Sequence, residues 1–485
     1  MRFDQVTFWM LFAVAFGAWR WLPFQAAKGV VLLLSHVFYA WWRPEYVLLI
    51  LLSAVVDFVA AKRIYGATTQ RVRRAWLAVS LTVNLGLLGF FKYTPLVMET
   101  LASVAWRVGG DARMFELGAW VVPVGISFYT FQTLSYSLDI YRGSFAPVAR
   151  FRDFLLYVTF FPQLVAGPIV RASELLPQLA RRRSLTVAGV QTGLYCVLQG
   201  LFLKVVIADN LAPQVQSVFE RSGGVRLSPF EAWLGTFYFG AQIFADFAGY
   251  SRIAIGIAYL MGLRFPENFR YPYLAQSLSE FWTRWHITLS RWLRDYLYIP
   301  LGGNRGSSGR TYANLLITML LGGVWHGAAW TYIVWGALHG VALAVERALD
   351  GGRPRAGSST APSSALAGAA RMLTVFLVVH VAWVFFRAQS VGAALTILHT
   401  MFIAPVEALA GGPATAPWFG LECLGSVRHV LLLLPLIALH AAQWAHERHG
   451  LRKTAARRMW VAVACALALM LCERASDQPF LYFQF

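Results

Sequence analysis

Residues 312–345 read YANLLITMLLGGVWHGAAWTYIVWGALHGVALAV, 34 positions without an Asp, Glu, Lys or Arg. A helix rises about 1.5 Å per residue and a bilayer core is about 30 Å thick, so this run is too long for one straight crossing. It reads as membrane helix that bends or doubles back. At its centre Gly322, Gly323 and Gly327 flank Trp325, His326 and Trp330. An ionisable ring at that depth is a functional candidate by default, and the glycines point to close approach of another backbone or a ligand.

The rest of the chain has the same character. Of 485 residues 58% are hydrophobic and 13% charged, where a soluble domain carries about 25% charged residues. With 35 Phe, 19 Trp and 19 Tyr, the aromatic surface exceeds what a water-facing exterior carries. Apolar spans fall at Phe8–Leu22, Gly29–Trp42, Tyr46–Ala61, Ala75–Phe91, Leu117–Leu138, Leu185–Ala208, Phe230–Met261, Tyr312–Val345, Met372–Phe386, Val427–Ala445 and Met459–Leu471. The expected fold class is all-α: a polytopic transmembrane helical bundle in one multi-pass domain over residues 1–485, with about ten to twelve crossings. Met1 to Pro23 reads as a retained first helix. Asp350 to Ala370, rich in Gly, Ser, Pro and Ala, reads as a flexible cytoplasmic linker.

Lys and Arg outnumber Asp and Glu by 42 to 23, giving +19. The bases lie between apolar segments, which indicates inward-facing loops in a lipid-embedded protein and not a nucleic-acid surface. Lys62, Arg63, Arg71, Arg73 and Arg74 form one acid-free loop, and Arg448, Arg452, Lys453, Arg457 and Arg458 another. Both are placed inside. The charge-balanced stretches Lys92 to Glu116 and Asn210 to Glu231 are placed outside. This alternation requires that Phe154 to Val170 does not cross. Pro162, Gly167 and Pro168 break helix there, and a re-entrant hairpin follows. Cys196, Cys423, Cys465 and Cys472 show no metal or disulfide spacing and read as free thiols.

Chemistry concentrates in a second stretch, SEFWTRWHITLSRWLRDYLYIPLGGNRGSSGR, residues 279–310. Phe281, Trp285, Leu289, Trp292 and Tyr296 recur at helical spacing, which predicts an amphipathic interfacial helix carrying His286. In Leu301 to Gly306 the glycines would let backbone N–H groups approach an anion. The basic run around them, with Arg291, Arg294, Asn304 and Arg305, is a candidate mouth for a phosphate-bearing donor. His326 is the candidate general base, with Trp325 as a pocket residue. Asp246, in FADFAGYSRIAIG, is a candidate for a polar pocket or a buried pair. Lys204 and Asp209 read as marking an interface. No His-Glu-x-x-His or Cys/His cluster appears, so no metal is assigned, and no Gly-x-Ser-x-Gly elbow appears.

RWHITLSRWLRDYLYIPLGGNRG followed by GGVWHGAAWTYIVWGALHG resembles the membrane-bound O-acyltransferase superfamily, and within it the bacterial alginate O-acetyltransferase membrane subunits. FYAWW at Phe38 to Trp42, PVGISFYTFQTLSYSLDIYRG at Pro123 to Gly143, FPQLVAGPIVR at Phe161 to Arg171, KVVIADNLAP at Lys204 to Pro213 and the C-terminal LYFQF are similar to the same subgroup. The resemblance implies that superfamily's fold, with His326 as the catalytic histidine of the Trp-His-Gly motif and His286 as the second family position. It implies acetyl transfer across the bacterial inner membrane from a cytoplasmic donor, acetyl-CoA, with no tightly bound cofactor. Periplasmic acetyltransferase partner proteins and an exopolysaccharide acceptor such as alginate are implied as partners. The alternatives are a D-alanyl or other acyl transferase of the superfamily, and a non-enzymatic flippase of lipid-linked saccharide.

Overall fold

Thr69, Ser277, Ser307, Ser364 and Ser390 each stand just before a helix and accept a hydrogen bond from the backbone N–H three residues on. Such caps satisfy donors that the first helical turn leaves open, and they fix where several helices of this chain begin. A computed structural model describes residues 1–115, 117, 120–221, 227–351, 364–409, 427–449, 455–472, 474 and 480–481. All regular elements among them are helices.

In chain order these are α1 (Val6–Trp21), α2 (Phe24–Ala40), α3 (Val47–Gly66), α4 (Gln70–Leu88), α5 (Thr94–Arg107), α6 (Ile126–Tyr141), α7 (Phe151–Thr159), α8 (Ala172–Leu179), α9 (Val187–Leu201), α10 (Asp209–Arg221) and α11 (Pro229–Leu260). There follow α12 (Leu278–Arg284), α13 (Ile287–Leu293), α14 (Ser308–His326), α15 (Trp330–Leu349), α16 (Ala365–Arg387), α17 (Val391–Phe402), α18 (Ala404–Leu409), α19 (Val427–Leu431), α20 (Leu433–His449) and α21 (Ala455–Leu471). Four continuous helical stretches among the described residues are long and apolar enough to cross a membrane: Gln70–Arg107, Val187–Arg221, Pro229–Leu260 and Ala365–Arg387. Shorter apolar helices include α1 and α2. The protein is an all-α, multi-pass membrane protein. Of the linker expected over Asp350 to Ala370, residues 352–363 lie outside the described residues, as does Cys423; Cys196 and Cys465 are buried free thiols.

Two helices run further than composition suggests. The stretch from Lys92 to Glu116 was expected as an outward loop, yet helix continues to Arg107 through a π-helical turn at Gly89–Tyr93. Lys92 is tolerated there because it is buried with its Nζ 3.2 Å from the Ser127 hydroxyl, and Pro95 falls in the first turn of α5, where no N–H is required of it. Likewise α9 continues through a π-helical segment, Phe202–Ala208, into α10, where a loop from Asn210 was expected.

The chain divides into two units, residues 1–197 with 250–266, and residues 198–249 with 267–485. In the first, the buried carboxylate of Asp57 on α3 accepts hydrogen bonds from Ser80 and Asn84 of α4 and from Ser137 of α6. A buried charge inside a helical membrane unit needs such donors, and here they pin three helices together. The same unit contains the expected break: α7 ends at Thr159, and residues 160–170 are non-helical and buried. Their backbone is satisfied from within, Tyr157 Oη donating to the Val170 carbonyl, Gln163 Nε2 to the Tyr157 carbonyl, and Ser35 Oγ accepting from Phe161 N–H. Gly125, at φ +79°, lets the start of α6 press on this segment, since a Cβ there would meet the Leu164 carbonyl at 2.9 Å.

In the second unit the 312–345 run does double back. α14 and α15 form a tight helical hairpin turning at residues 327–329. A Cβ on Gly323 would run into the Tyr332 carbonyl, one on Gly336 into the Met319 carbonyl, and one on Gly327 into the Tyr332 ring. The glycines therefore serve helix-on-helix approach, not a ligand.

Candidate active site

His326 is the last residue of α14, at the bend of the hairpin, and is buried. Rings enclose it: Trp325 and Trp335 at 5.0 Å between centroids and Phe386 of α16 at 5.3 Å, all close to perpendicular or edge-on. His286 lies 6.4 Å away, centroid to centroid. Its own neighbours are Phe247 at 4.6 Å and Trp325 at 5.8 Å. Two histidines 40 positions apart thus share one aromatic chamber, with Trp325 touching both.

The expected continuous helix through His286 is not formed. α12 stops at Arg284, α13 starts at Ile287, and His286 between them has φ +41°, a left-handed conformation seldom adopted by residues other than glycine. Asn268, itself buried, holds the break open: its carbonyl accepts from Ile287 N–H at 2.9 Å and its Oδ1 from the N–H and hydroxyl of Thr288 at 3.2 and 2.8 Å. On the other side Glu346 of α15 caps α12 by accepting from Leu278 and Ser279 N–H. The stripe of Phe281, Trp285, Leu289, Trp292 and Tyr296 is buried throughout, so it packs a core instead of lying on a membrane surface. Strain of this kind persists where surroundings over-determine it, and it places the ring against His326. Full burial drives the His286 imidazole from its ordinary value of 6.5 down to about 3, so it is neutral across the physiological range.

The proposed donor residues lie elsewhere. Arg291, Arg294, Asn304 and Arg305 are exposed, and Arg294 pairs with Asp295 at 2.7 Å. In the Gly-rich turn the N–H groups of Gly302, Gly303 and Arg305 bond to the carbonyls of Ile299, Tyr298 and Gly302, so these donors close the preceding helical turn. Asn314 of α14 donates to the Gly303 carbonyl, and Leu293 packs beside Gly322. α13 and its continuation therefore run antiparallel along α14, from the histidines to the turn. Asn304 and Arg305 stand near the start of α14 and His326 at its end, about 27 Å apart for 18 residues of helix.

Asp246 is not isolated. Lys204 Nζ lies 2.7 Å from Asp246 and 2.9 Å from Asp209, Arg474 bonds Asp209 at 2.7 Å, and Leu481 N–H donates to Asp246 at 2.6 Å. Lys204 and Asp209 are buried members of one ion network. This network borders a cavity of about 270 Å³. Phe247, adjacent to Asp246, is the residue that packs on His286. Sequence reasoning missed Asn268 and Arg474: one asparagine in a loop and one arginine near a helix end carry no pattern. The buried ring of His339 sits 4.9 Å from Trp335 and 5.0 Å from Trp282. Among the described residues no three His, Cys, Asp or Glu side chains come together to hold a metal ion.

Residues 148–386, which contain both histidines, Asn268, Lys204, Asp209 and Asp246, match the model of MBOAT, the membrane-bound O-acyltransferase family. The chain is 42% identical over 83% of its length, and 75% of the relative's, to the probable alginate O-acetylase AlgI of Pseudomonas aeruginosa. It is 41% identical, over 83% and 78%, to the protein of that name from Azotobacter vinelandii. It is 38% identical, over 76% and 73%, to the peptidoglycan O-acetyltransferase of Helicobacter pylori.

Proposed function

Because this chain belongs to the membrane-bound O-acyltransferase family and is an acyltransferase, we propose that it moves an acetyl group from cytoplasmic acetyl-CoA across the bacterial inner membrane for O-acetylation of an exopolysaccharide such as alginate. The observation that carries the reading is the pair of buried histidines, 6.4 Å apart in an aromatic chamber. The relatives named for alginate support the acceptor class.

His326 acts as the general base. The neutral imidazole takes the proton of an acceptor hydroxyl, the hydroxyl oxygen attacks the acetyl carbonyl, the C–O bond forms and the C–S bond breaks, and the thiolate leaves to be protonated. Thioester exchange for ester is downhill, so no further energy source enters. His286, neutral and fixed, orients the acceptor or the carbonyl through a hydrogen bond. Arg291, Arg294, Asn304 and Arg305 form the donor mouth at the inner face, and periplasmic acetyltransferase partner proteins receive the acetyl outside. Peptidoglycan is the second reading for the acceptor, favoured by the Helicobacter relative.

The test is acetyl transfer from radiolabelled acetyl-CoA in inverted vesicles, with the periplasmic partners encoded beside the gene present inside. Label should reach a luminal partner or glycan with the wild type, and His326→Ala should lower that transfer by about 10²–10⁴-fold while inserting and folding normally. Undiminished transfer by His326→Ala defeats the assignment of the base. No transfer by the wild type defeats the donor assignment.

A further inference from the structure

Asp57, on α3 of the first unit, is fully buried, and no Lys, Arg or His among the described residues pairs with it. Asp209 and Asp246, equally deep in the second unit, share Lys204. Bases on the segments around Asp57 are held elsewhere. Lys62 Nζ donates to the Ala149 carbonyl, Arg73 donates to the Tyr141 carbonyl, and Lys92 Nζ bonds Ser127, which stands ten residues, about 15 Å of helix, from Ser137 on α6. A negative charge buried in this way is costly unless a cation meets it. What surrounds the carboxylate is oxygen. The hydroxyls of Ser80 on α4 and Ser137 on α6 donate to Oδ1, the second at 3.0 Å, and the Thr133 hydroxyl of α6 also reaches the carboxylate. Asn84 Nδ2 donates to Oδ2 at 3.0 Å, and Ser53 Oγ lies 2.5 Å from Asn84 Oδ1 and 3.5 Å from Thr133 Oγ1. All six residues are at most 1% exposed.

We infer that Asp57, Ser80, Thr133 and Ser137 bind a sodium ion between α3, α4 and α6. The site lies in the unit that carries neither His286 nor His326, and nothing in acetyl transfer requires it. A serine or threonine hydroxyl that donates its proton keeps two lone pairs, so these three can hold a cation beside the carboxylate while still bonded to it. The donor set selects the ion. Oxygen ligands alone suit the hard cations, and the cluster has none of the sulfur or imidazole that zinc and copper favour. Charge selects the valence: one carboxylate among neutral oxygens cancels a single positive charge, and a divalent ion would leave one charge buried without an opposite. Spacing selects the size, because oxygens that already stand within 3.5 Å of one another suit sodium better than the larger potassium ion. The ion neutralises Asp57 and ties three helices at one point, so it acts as a ligand of the folded state.

The experiment measures binding of radioactive sodium to the full chain in lipid nanodiscs, after dialysis into choline chloride, by scintillation proximity. Binding should saturate, and potassium and calcium should each compete at least about tenfold more weakly than unlabelled sodium. Asp57→Asn should abolish binding. Ser137→Ala and Thr133→Val, which keep the carboxylate and decide the matter if Asp57→Asn does not fold, should each weaken it about tenfold. Ser103→Ala, which removes an exposed hydroxyl on α5, should leave affinity at the wild-type value. In parallel, the unfolding temperature at constant ionic strength should climb with the logarithm of sodium concentration when sodium replaces choline, and Asp57→Asn should flatten that climb. No saturable binding by the folded wild type, equal competition by potassium or calcium, or wild-type affinity in both Ser137→Ala and Thr133→Val overturns the proposal. Stability that follows pH and ignores sodium also overturns it, because Asp57 then carries a proton in place of the ion.

Discussion

A single backbone angle, φ +41° at His286, separates the structure from what the spacing of the neighbouring aromatics implies. The residue types were legible: a histidine among Trp and Arg, and another in a Trp-His-Gly step, are unusual in apolar sequence. Their meeting was not, because it depends on Asn268, 18 positions upstream, accepting bonds that a continuous helix would have kept internal. Burial also fixes a pH signature. The folded state holds His286 near 3 against an ordinary 6.5, so the stability tied to its neutral form is complete above about 6.5 and is lost as pH falls from there toward 3. Thermal unfolding of the wild type in detergent should shift downward between pH 6.5 and 4. His286→Phe should flatten part of that shift, and parallel curves for the two proteins would remove His286 from the account.

At the level of elements, the α14–α15 hairpin sets the position of His326 and is the most stringent packing in the second unit. Its glycines were visible in sequence as small residues amid bulk, but whether they faced a ligand or a helix was decided by the turn at 327–329, which composition does not locate. Gly336→Leu would drive a side chain into the Met319 backbone, and overpacking of this kind costs about 1–3 kcal/mol. Lower yield of folded protein and reduced acetyl transfer should appear together, while the same substitution at exposed Gly309, where a Cβ meets nothing, should change neither. The two helices that outran their expected ends teach a related point. Lys92, Lys204 and Asp209 look like loop residues by charge, yet each has a partner contributed by a segment distant in sequence, and partners of that kind are invisible to a window of hydropathy.

Across the whole molecule, the helical membrane class follows from composition, and the positions of the basic loops predict an orientation that labelling can check. With the four native cysteines replaced by alanine, Arg71→Cys should react with a membrane-impermeant maleimide only after spheroplasts are opened, and Gln389→Cys should react in intact spheroplasts. The reverse pattern would invert the topology and, with it, the side from which the acyl donor enters. The chamber itself offers a way to watch turnover. Trp325 and Trp335 touch His326, Trp383 stacks on Trp335 at 5.9 Å, and Trp285 packs tilted against Trp383 at 5.0 Å. Indole fluorescence responds to charge a few ångströms away, so each proton gained or lost by His326 during transfer should register as a change in ultraviolet emission, readable in stopped flow on the unlabelled protein and silent in His326→Ala.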